Sequence, residues 1–240
     1  MFKKGFTLAE VLIALGIVGV IAAISIPTFV SNTQNQANAS KLAAVVSDLE
    51  TAFTSMMAFE GVQEFEETSF YVKYKEENNY TEASNILGNY YKLLDSTNKT
   101  TDFYDNFRFG YISGGNGYFS WNHLLQTKNG ALLIFSKSNY TITEEKAEQN
   151  GISVTRAPLT LSIDVNGKEK PNMMGRDYFT YLIGNDGSLY PWGSKVVSIL
   201  HGGNTNNTWK NASGSYPCTN EMKKAGCTAR LAENGYKVDY

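Results

Sequence analysis

The sequence predicts an α+β fold in which a long N-terminal helix lies across an antiparallel β-sheet head domain. Three observations predict it. An apolar run from Val11 to Val30 leads directly into an amphipathic stretch that lasts to Gly61. Further on, "APLTLSIDV" and "DYFTYLIGNDGSLYPWG" alternate apolar and polar residues with the period of a half-buried strand. The 240 residues suit one modest globular domain plus an anchor, and 13% aromatic content argues against disorder.

The first element is built for hydrocarbon. Residues 11–40 contain no Asp, Glu, Lys or Arg, and Val11 to Val30 crosses a bilayer core at about 1.5 Å per residue. Lys3 and Lys4 put the N-terminus on the cytoplasmic side, with the remainder of the chain outside. Glu10, at the mouth of the run, needs a reason, because a carboxylate in lipid requires a cationic partner. Three readings address it. A secretory signal peptide would be cut after Ala39, in the A-x-A pattern of Ala37 and Ala39, although that pattern lies far from Ile26. A plain uncleaved anchor would let Glu10 reach back to the interface. In the third reading Glu10 meets the α-amine of a neighbouring subunit cut just upstream of Phe6. Gly16, Gly19, Ala22, Ala23 and Ser25 give the helix a low-profile surface for close contacts. Pro27 lacks an N–H and crowds the carbonyl of Ala23, which predicts a kink or a helix end.

The segment "KKGFTLAEVLIALGIVGVIAAISIPTF", Lys3 to Phe29, resembles the N-terminus of the type IV pilin and pseudopilin family. The resemblance implies a leader at 1–5, ending at Gly5. Prepilin peptidase would cut between Gly5 and Phe6, and the new amine of Phe6 would be N-methylated. Glu10 would then neutralise the amine of an adjacent subunit during filament assembly. It also favours a kink at Pro27 with further helix beyond. Residues 6–30 become the transmembrane and filament-core helix, 31–60 its amphipathic continuation, and 61–240 the head. The implied partners are copies of the chain and other pilin-like subunits, prepilin peptidase, an inner-membrane assembly platform, and membrane lipid before assembly. The implied location is the bacterial inner membrane as precursor, single-pass with the N-terminus cytoplasmic, then a periplasmic or extracellular filament. Beyond Phe29 the resemblance is only architectural.

In the second half of the helix, Leu42, Val46, Leu49, Phe53 and Met57 recur at spacings of four and three, with Lys41, Asp48 and Glu50 mostly off that stripe. Gly61 predicts the stop. Residues 62–130 carry weak periodicity. Ala83 to Leu94 reads as a short helix capped by Thr81, and in the Gly- and aromatic-rich stretch that follows, Asp-Asn at 105–106 and Gly-Gly-Asn-Gly at 114–117 read as loops. Its aromatic residues suit a buried core better than a glycan platform. From residue 131, "ALLIFSK", Leu159 to Val165, and Phe179 to Ile183 read as strands. "NDG" at 185–187 is a hairpin turn. "KVVSIL" fits a strand or a short helix. Residues 201–217 read as exposed loop. The tail reads as a short helix stopped at Asn234-Gly235, with Leu231, Tyr236, Val238 and Tyr240 docking it onto the sheet.

Cys218 and Cys227 are the only cysteines. In an exported chain they predict one disulfide closing a short loop, and otherwise two free thiols. The family often bridges a loop near its C-terminus, which the pair matches in position. "DVNGKEKPNMMGRDYF" offers Asp164, Asn166 and Asp177 as oxygen donors. Some pseudopilins hold calcium in a head-domain loop. Here the spacing departs from an EF-hand, and Lys168, Lys170 and Arg176 add positive charge. The segment therefore reads first as a structural turn and second as a calcium loop, and no metal or other cofactor is expected. His123 and His201 have no second ligand at metal spacing, and Glu66-Glu67 lies in a charged segment. No nucleophile elbow, phosphate loop or zinc-protease motif occurs, so no catalysis is expected. Net charge is −2, which offers no field for nucleic acid. The expected function is a structural subunit of a type IV pilus or a related type II secretion-type filament. The alternative is a membrane-anchored or secreted binding protein or enzyme that uses the N-terminal segment only as anchor or signal peptide.

Overall fold

The computed structural model describes residues 5, 7–95, 108–111, 116–118, 123–167, 169–202, 208–211, 213–219 and 224–240. Helix α1 (Leu8–Glu60) runs for 53 residues, about 80 Å at the α-helical rise. Thr7 caps its start, and Gly61 ends it in the left-handed region at φ 70°, giving its N–H to Met57 O. The two halves of α1 differ in what covers them. Leu12, Ile13, Leu15, Ile17, Val18 and Val20 are each more than half exposed, so the apolar surface wraps the whole circumference. From Ala39 onward a single stripe is buried, through Leu42, Val46, Leu49, Phe53 and Met56.

Two turns of irregular helix, Phe65–Glu67 and Ser69–Glu76, lead to α2 (Tyr80–Tyr90). The strands are β1 (Leu93–Asp95), β2 (Arg108–Tyr111), β3 (Asn116–Tyr118), β4 (His123–Thr127), β5 (Leu132–Thr141), β6 (Arg156–Asp164), β7 (Met173–Met174), β8 (Tyr178–Ile183) and β9 (Leu189–Pro191). Helix α3 (Glu144–Asn150) joins β5 to β6, and α4 (Lys195–Gly202) and α5 (Cys227–Glu233) follow β9. Among the described residues the strands form one sheet, ordered β1-β4-β5-β6-β8-β7-β2-β3, with β9 also paired to β8.

Register explains how the sheet receives the helix. Leu161 sits opposite Tyr181 and Ile163 opposite Phe179, and all four join the core beneath α1. The intervening Leu182 faces the other way and packs with Val197 and Leu200 of α4. All six residues of β8 are buried, because the central sheet is covered on both faces. An aromatic column fills the gap between α1 and the sheet. Phe53 meets Phe65 edge-on at 5.0 Å, and Phe70 meets Phe135 at 5.5 Å.

Several expectations are corrected. The sheet is mixed: β7 lies between β8 and β2 and runs parallel to both. The predicted cap at Thr81 is wrong, since Asn79 accepts from Glu82 N at 3.2 Å and α2 begins at Tyr80, three residues before Ala83. The same helix ends at Tyr90 and not Leu94, because Leu93 and Asp95 pair with Thr127 and Gln126 as strand. Asn116 and Gly117, read as loop, begin β3, which pairs antiparallel with β2. Of the two readings of "KVVSIL", the short helix is the one observed. Trp121 and residues 203–207 lie outside the described residues.

Candidate assembly site

At the head of α1, Thr7 and Glu10 form a reciprocal cap. Glu10 N donates to Thr7 Oγ1 at 3.3 Å, and the N–H and hydroxyl of Thr7 both donate to Glu10 Oε2 at 2.8 Å. A Glu three positions after a Thr at a helix start is the spacing this motif requires. The cap fixes Glu10 against the first turn and occupies one carboxylate oxygen. No described residue donates to Oε1. Gly5 is exposed, and Phe6 lies outside the described residues.

Along the apolar half, polar side chains turn back on their own helix. Ser25 Oγ donates to Ile21 O, Thr28 Oγ1 to Ile24 O at 3.4 Å and Thr33 Oγ1 to Phe29 O at 2.9 Å. Hydroxyls satisfied in this way suit a lipid environment. Pro27 lies within α1, which stays helical on both sides of it, so the proline does not end the helix. This is the one helix among the described residues long and apolar enough to cross a membrane.

Where α1 reaches the head, polar groups tie the two together. Gln36 donates to Tyr236 O at 2.9 Å and accepts from Val238 N at 3.1 Å. Asn38 donates to Arg176 O at 3.3 Å, and Glu50 accepts from Leu189 N at 3.1 Å. Periodicity gave no sign of these residues, because their partners lie more than 130 positions away. Glu50, expected off the packed face, serves the β9 backbone.

Cys218 and Cys227 are bonded, nine residues apart, and both are buried. Arg230 lies beside the bridge, donating to Cys218 O at 2.9 Å and pairing with Asp239 at 2.8 Å. Its guanidinium also stacks over the rings of Trp209 and Tyr240. As the sequence predicts, α5 stops at Asn234-Gly235, and Tyr236, Val238 and Tyr240 pack against the main core. A bridge closing so short a loop stabilises by about 2–3 kcal/mol through the unfolded chain. The Cys218→Ser/Cys227→Ser variant is therefore expected to lose about that much in urea unfolding, with no further loss on adding reductant.

The predicted oxygen donors do come together. Asp164 and Asp177 are buried, at 0% and 1% exposure. Asn166 Nδ2 donates to Asp177 Oδ2 at 3.3 Å and to Glu169 O at 3.0 Å, and Met173 N donates to Asp177 Oδ1. Burial pushes the Asp164 carboxyl up to about 8, helped by the neighbouring Asp177 and opposed by the Asn166 and Gly167 amides and Lys41. Burial also raises Asp177, against the Met173 amide and Arg176. Lys168 lies outside the described residues. Among the described residues no three His, Cys, Asp or Glu side chains gather. His201 sits among the rings of Tyr140, Trp192 and Tyr216, and Glu66 is ion-paired to Arg156 at 2.6 Å, not simply solvated.

The family description "prokaryotic N-terminal methylation motif" matches residues 1–26, the stretch that holds Thr7, Glu10 and most of the apolar run. No curated protein and no solved structure matches the chain. The methylation motif, the long apolar helix that carries it and the mixed-sheet head packed on that helix are consistent with a type IV pilin- or pseudopilin-like protein.

Proposed function

We propose that this chain is a filament subunit of a type IV pilus or a type II secretion-type fibre, and that it works by assembly, not by turnover. The observation that supports this best is Glu10. It is the one acid on a helix half whose apolar surface is exposed all round, and its cap leaves Oε1 without a donor among the described residues. Such a helix needs lipid in the precursor and other helices in the product.

The sequence of events follows from the chemistry. The precursor rests in the inner membrane as a single span, with Lys3 and Lys4 on the cytoplasmic side. Prepilin peptidase hydrolyses the Gly5–Phe6 bond, which yields a carboxylate on Gly5 and an ammonium on Phe6. N-methylation of Phe6 keeps that positive charge. The ammonium then meets Glu10 on a neighbouring subunit as an inner-membrane platform lifts the chain out of lipid. Pairing neutralises both charges and sets the axial register between helices. Pro27 bends the rod where lipid span gives way to head contact. The heads end outside, periplasmic or extracellular, on a core of packed α1 helices.

Mass spectrometry of the N-terminal peptide from cell envelopes and from sheared fibres tests this reading. The expected mature protein begins at N-methylated Phe6. A mature protein beginning at Ser40, or fibres retaining residues 1–5, would overturn it.

A further inference from the structure

We propose that the cavity between α1, the β7–β8 turn and the C-terminal tail holds the headgroup of a membrane phospholipid, with its phosphate on Arg176 and Ser31 and its terminal hydrogen-bond donor on Asn35. The cavity measures about 210 Å³ and is lined by Ser31 and Asn35 of α1, Gly175 and Arg176 of the turn, and Val238 and Tyr240 of the tail. Ser31 and Asn35, four positions apart, share one face of the helix. Three polar side chains here have work left undone. Asn35 Oδ1 is buried and has no hydrogen-bond partner, a costly state for an acceptor. Ser25, Thr28, Thr33 and Ser40 on the same helix each return their hydroxyl to the carbonyl four positions back. The Ser31 hydroxyl makes no such bond among the described residues. The Arg176 guanidinium forms no ion pair within 4.0 Å among them either. Asp177 feels its charge, but the Asp177 oxygens are taken by Met173 N and Asn166.

Main-chain bonds hold the turn without help from that side chain. Arg176 N donates to Met173 O at 3.0 Å, and Arg176 O accepts from Asn38 of α1 at 3.3 Å. Tyr240 of the tail donates its hydroxyl to Gly175 O at 2.6 Å. The cavity wall is therefore fixed on three sides while the positive charge within it is left over.

Depth identifies the ligand. Val11 to Val30 rises about 30 Å, the thickness of a hydrocarbon core. The headgroup layer beyond that core is about 5–7 Å deep, and Ser31 and Asn35 stand about 1.5 and 7.5 Å past Val30. The cavity thus lies among lipid phosphates, on the side of the membrane that carries the head. A guanidinium takes phosphate oxygens in a two-pronged, charge-assisted fork. Asn35 Oδ1 cannot accept from a phosphate oxygen, so the same ligand needs an N–H or O–H beyond its phosphate. Ethanolamine and glycerol headgroups carry one, and choline does not. The volume falls below the roughly 300–1,000 Å³ of sites for drug-sized molecules, which suits a headgroup whose acyl chains stay in the bilayer. Water alone would satisfy Asn35 but would give Arg176 no counter-charge. A lipid held here would brace the head against the bilayer until the chain leaves it. This inference rests on the single membrane span and not on filament formation.

The test uses the full chain in detergent, mixed with one lipid at a time and read by native mass spectrometry. The parent is expected to retain one phosphatidylethanolamine or phosphatidylglycerol, at least about tenfold more than phosphatidylcholine, the worth of one hydrogen bond to a buried acceptor. Asn35→Leu is expected to retain all three lipids equally, and Arg176→Met to lose at least about tenfold in each. Both variants are expected to melt in detergent within about 2 °C of the parent. Water-soluble phosphoethanolamine at the same concentration is expected not to displace the lipid. Equal retention of the three lipids by the parent, or parental retention by Arg176→Met, would overturn the proposal. Displacement by phosphoethanolamine would overturn it too, by making a soluble phosphate the ligand, as would a much lower Tm for Arg176→Met, by giving that side chain a partner within the chain. None of these results moves the mature N-terminus, so the filament reading is tested separately.

Discussion

Glu10→Ala is expected to leave the chain in the membrane with its head folded while cutting sheared-filament yield at least about tenfold. Insertion does not need the carboxylate, because the apolar run beyond it is uncharged to residue 40 and removing a charge makes partition into lipid easier. Helix α1 would lose its reciprocal cap with Thr7, which frays the first turn and touches nothing in the head. Assembly is different. Without Glu10, every mature subunit would carry the ammonium of Phe6 into a core of apolar helices with no counter-charge, and an uncompensated buried ion outweighs the packing gained around it. Glu10→Gln separates the two roles, since a glutamine in the third helical position still completes the cap but cannot neutralise an amine. It is expected to fail as Ala does. Immunoblots of sheared and membrane fractions measure both variants against the parent. Parental filament yield from Gln and Ala alike would remove Glu10 from the mechanism.

How far the sequence determined this outcome differs along the chain. The N-terminal helix was legible in full, because its signals are local: an uncharged apolar run, a stripe at spacings of three and four, and Gly61 at the end. Strands β5, β6 and β8 were legible for the same reason, through the alternation of Leu159, Leu161 and Ile163. The β2–β3 hairpin was not, because short strands rich in glycine and aromatic residues carry no period of two that outweighs their turn signals. The parallel pairing was hidden too. Met173 and Met174 form a strand of two residues whose partners are fixed by the surrounding fold and not by their own propensity. At the candidate sites, Glu10 and the cysteines declared themselves by residue type and position. Gln36, Asn38 and Glu50 gave no sign, because a polar helix position reveals nothing of a partner on a distant strand or tail.

The joint between helix and head gives the largest expected effect on stability. Phe53→Ala is expected to destabilise the head by about 3–5 kcal/mol, a drop in Tm of about 6–20 °C for a domain of this size. Phe53 is fully buried, edge-on to Phe65 at 5.0 Å and stacked with Phe70 at 6.3 Å. The β8–β9 turn closes over it: Gly187 takes φ 76°, and a Cβ there would lie 3.6 Å from Phe53 Cβ and 2.9 Å from Met57 Sδ. A backbone so close has little room to collapse into the space a missing ring would leave, so the cavity term adds to the lost burial. Phe59, six residues on, provides the control. It lies on the same helix but is 83% exposed, with only Tyr90 edge-on at 6.3 Å, so Phe59→Ala is expected to change stability by less than about 1 kcal/mol. Helix propensity slightly favours both changes, which leaves burial as the variable that separates them. Thermal melts of the full chain in detergent, read by near-UV circular dichroism, make the comparison. Limited proteolysis adds a second reading, because a head loosened from α1 would be cut while the membrane half of the helix stayed protected. Equal melting of the two variants would mean that the head holds its shape without the helix laid across it.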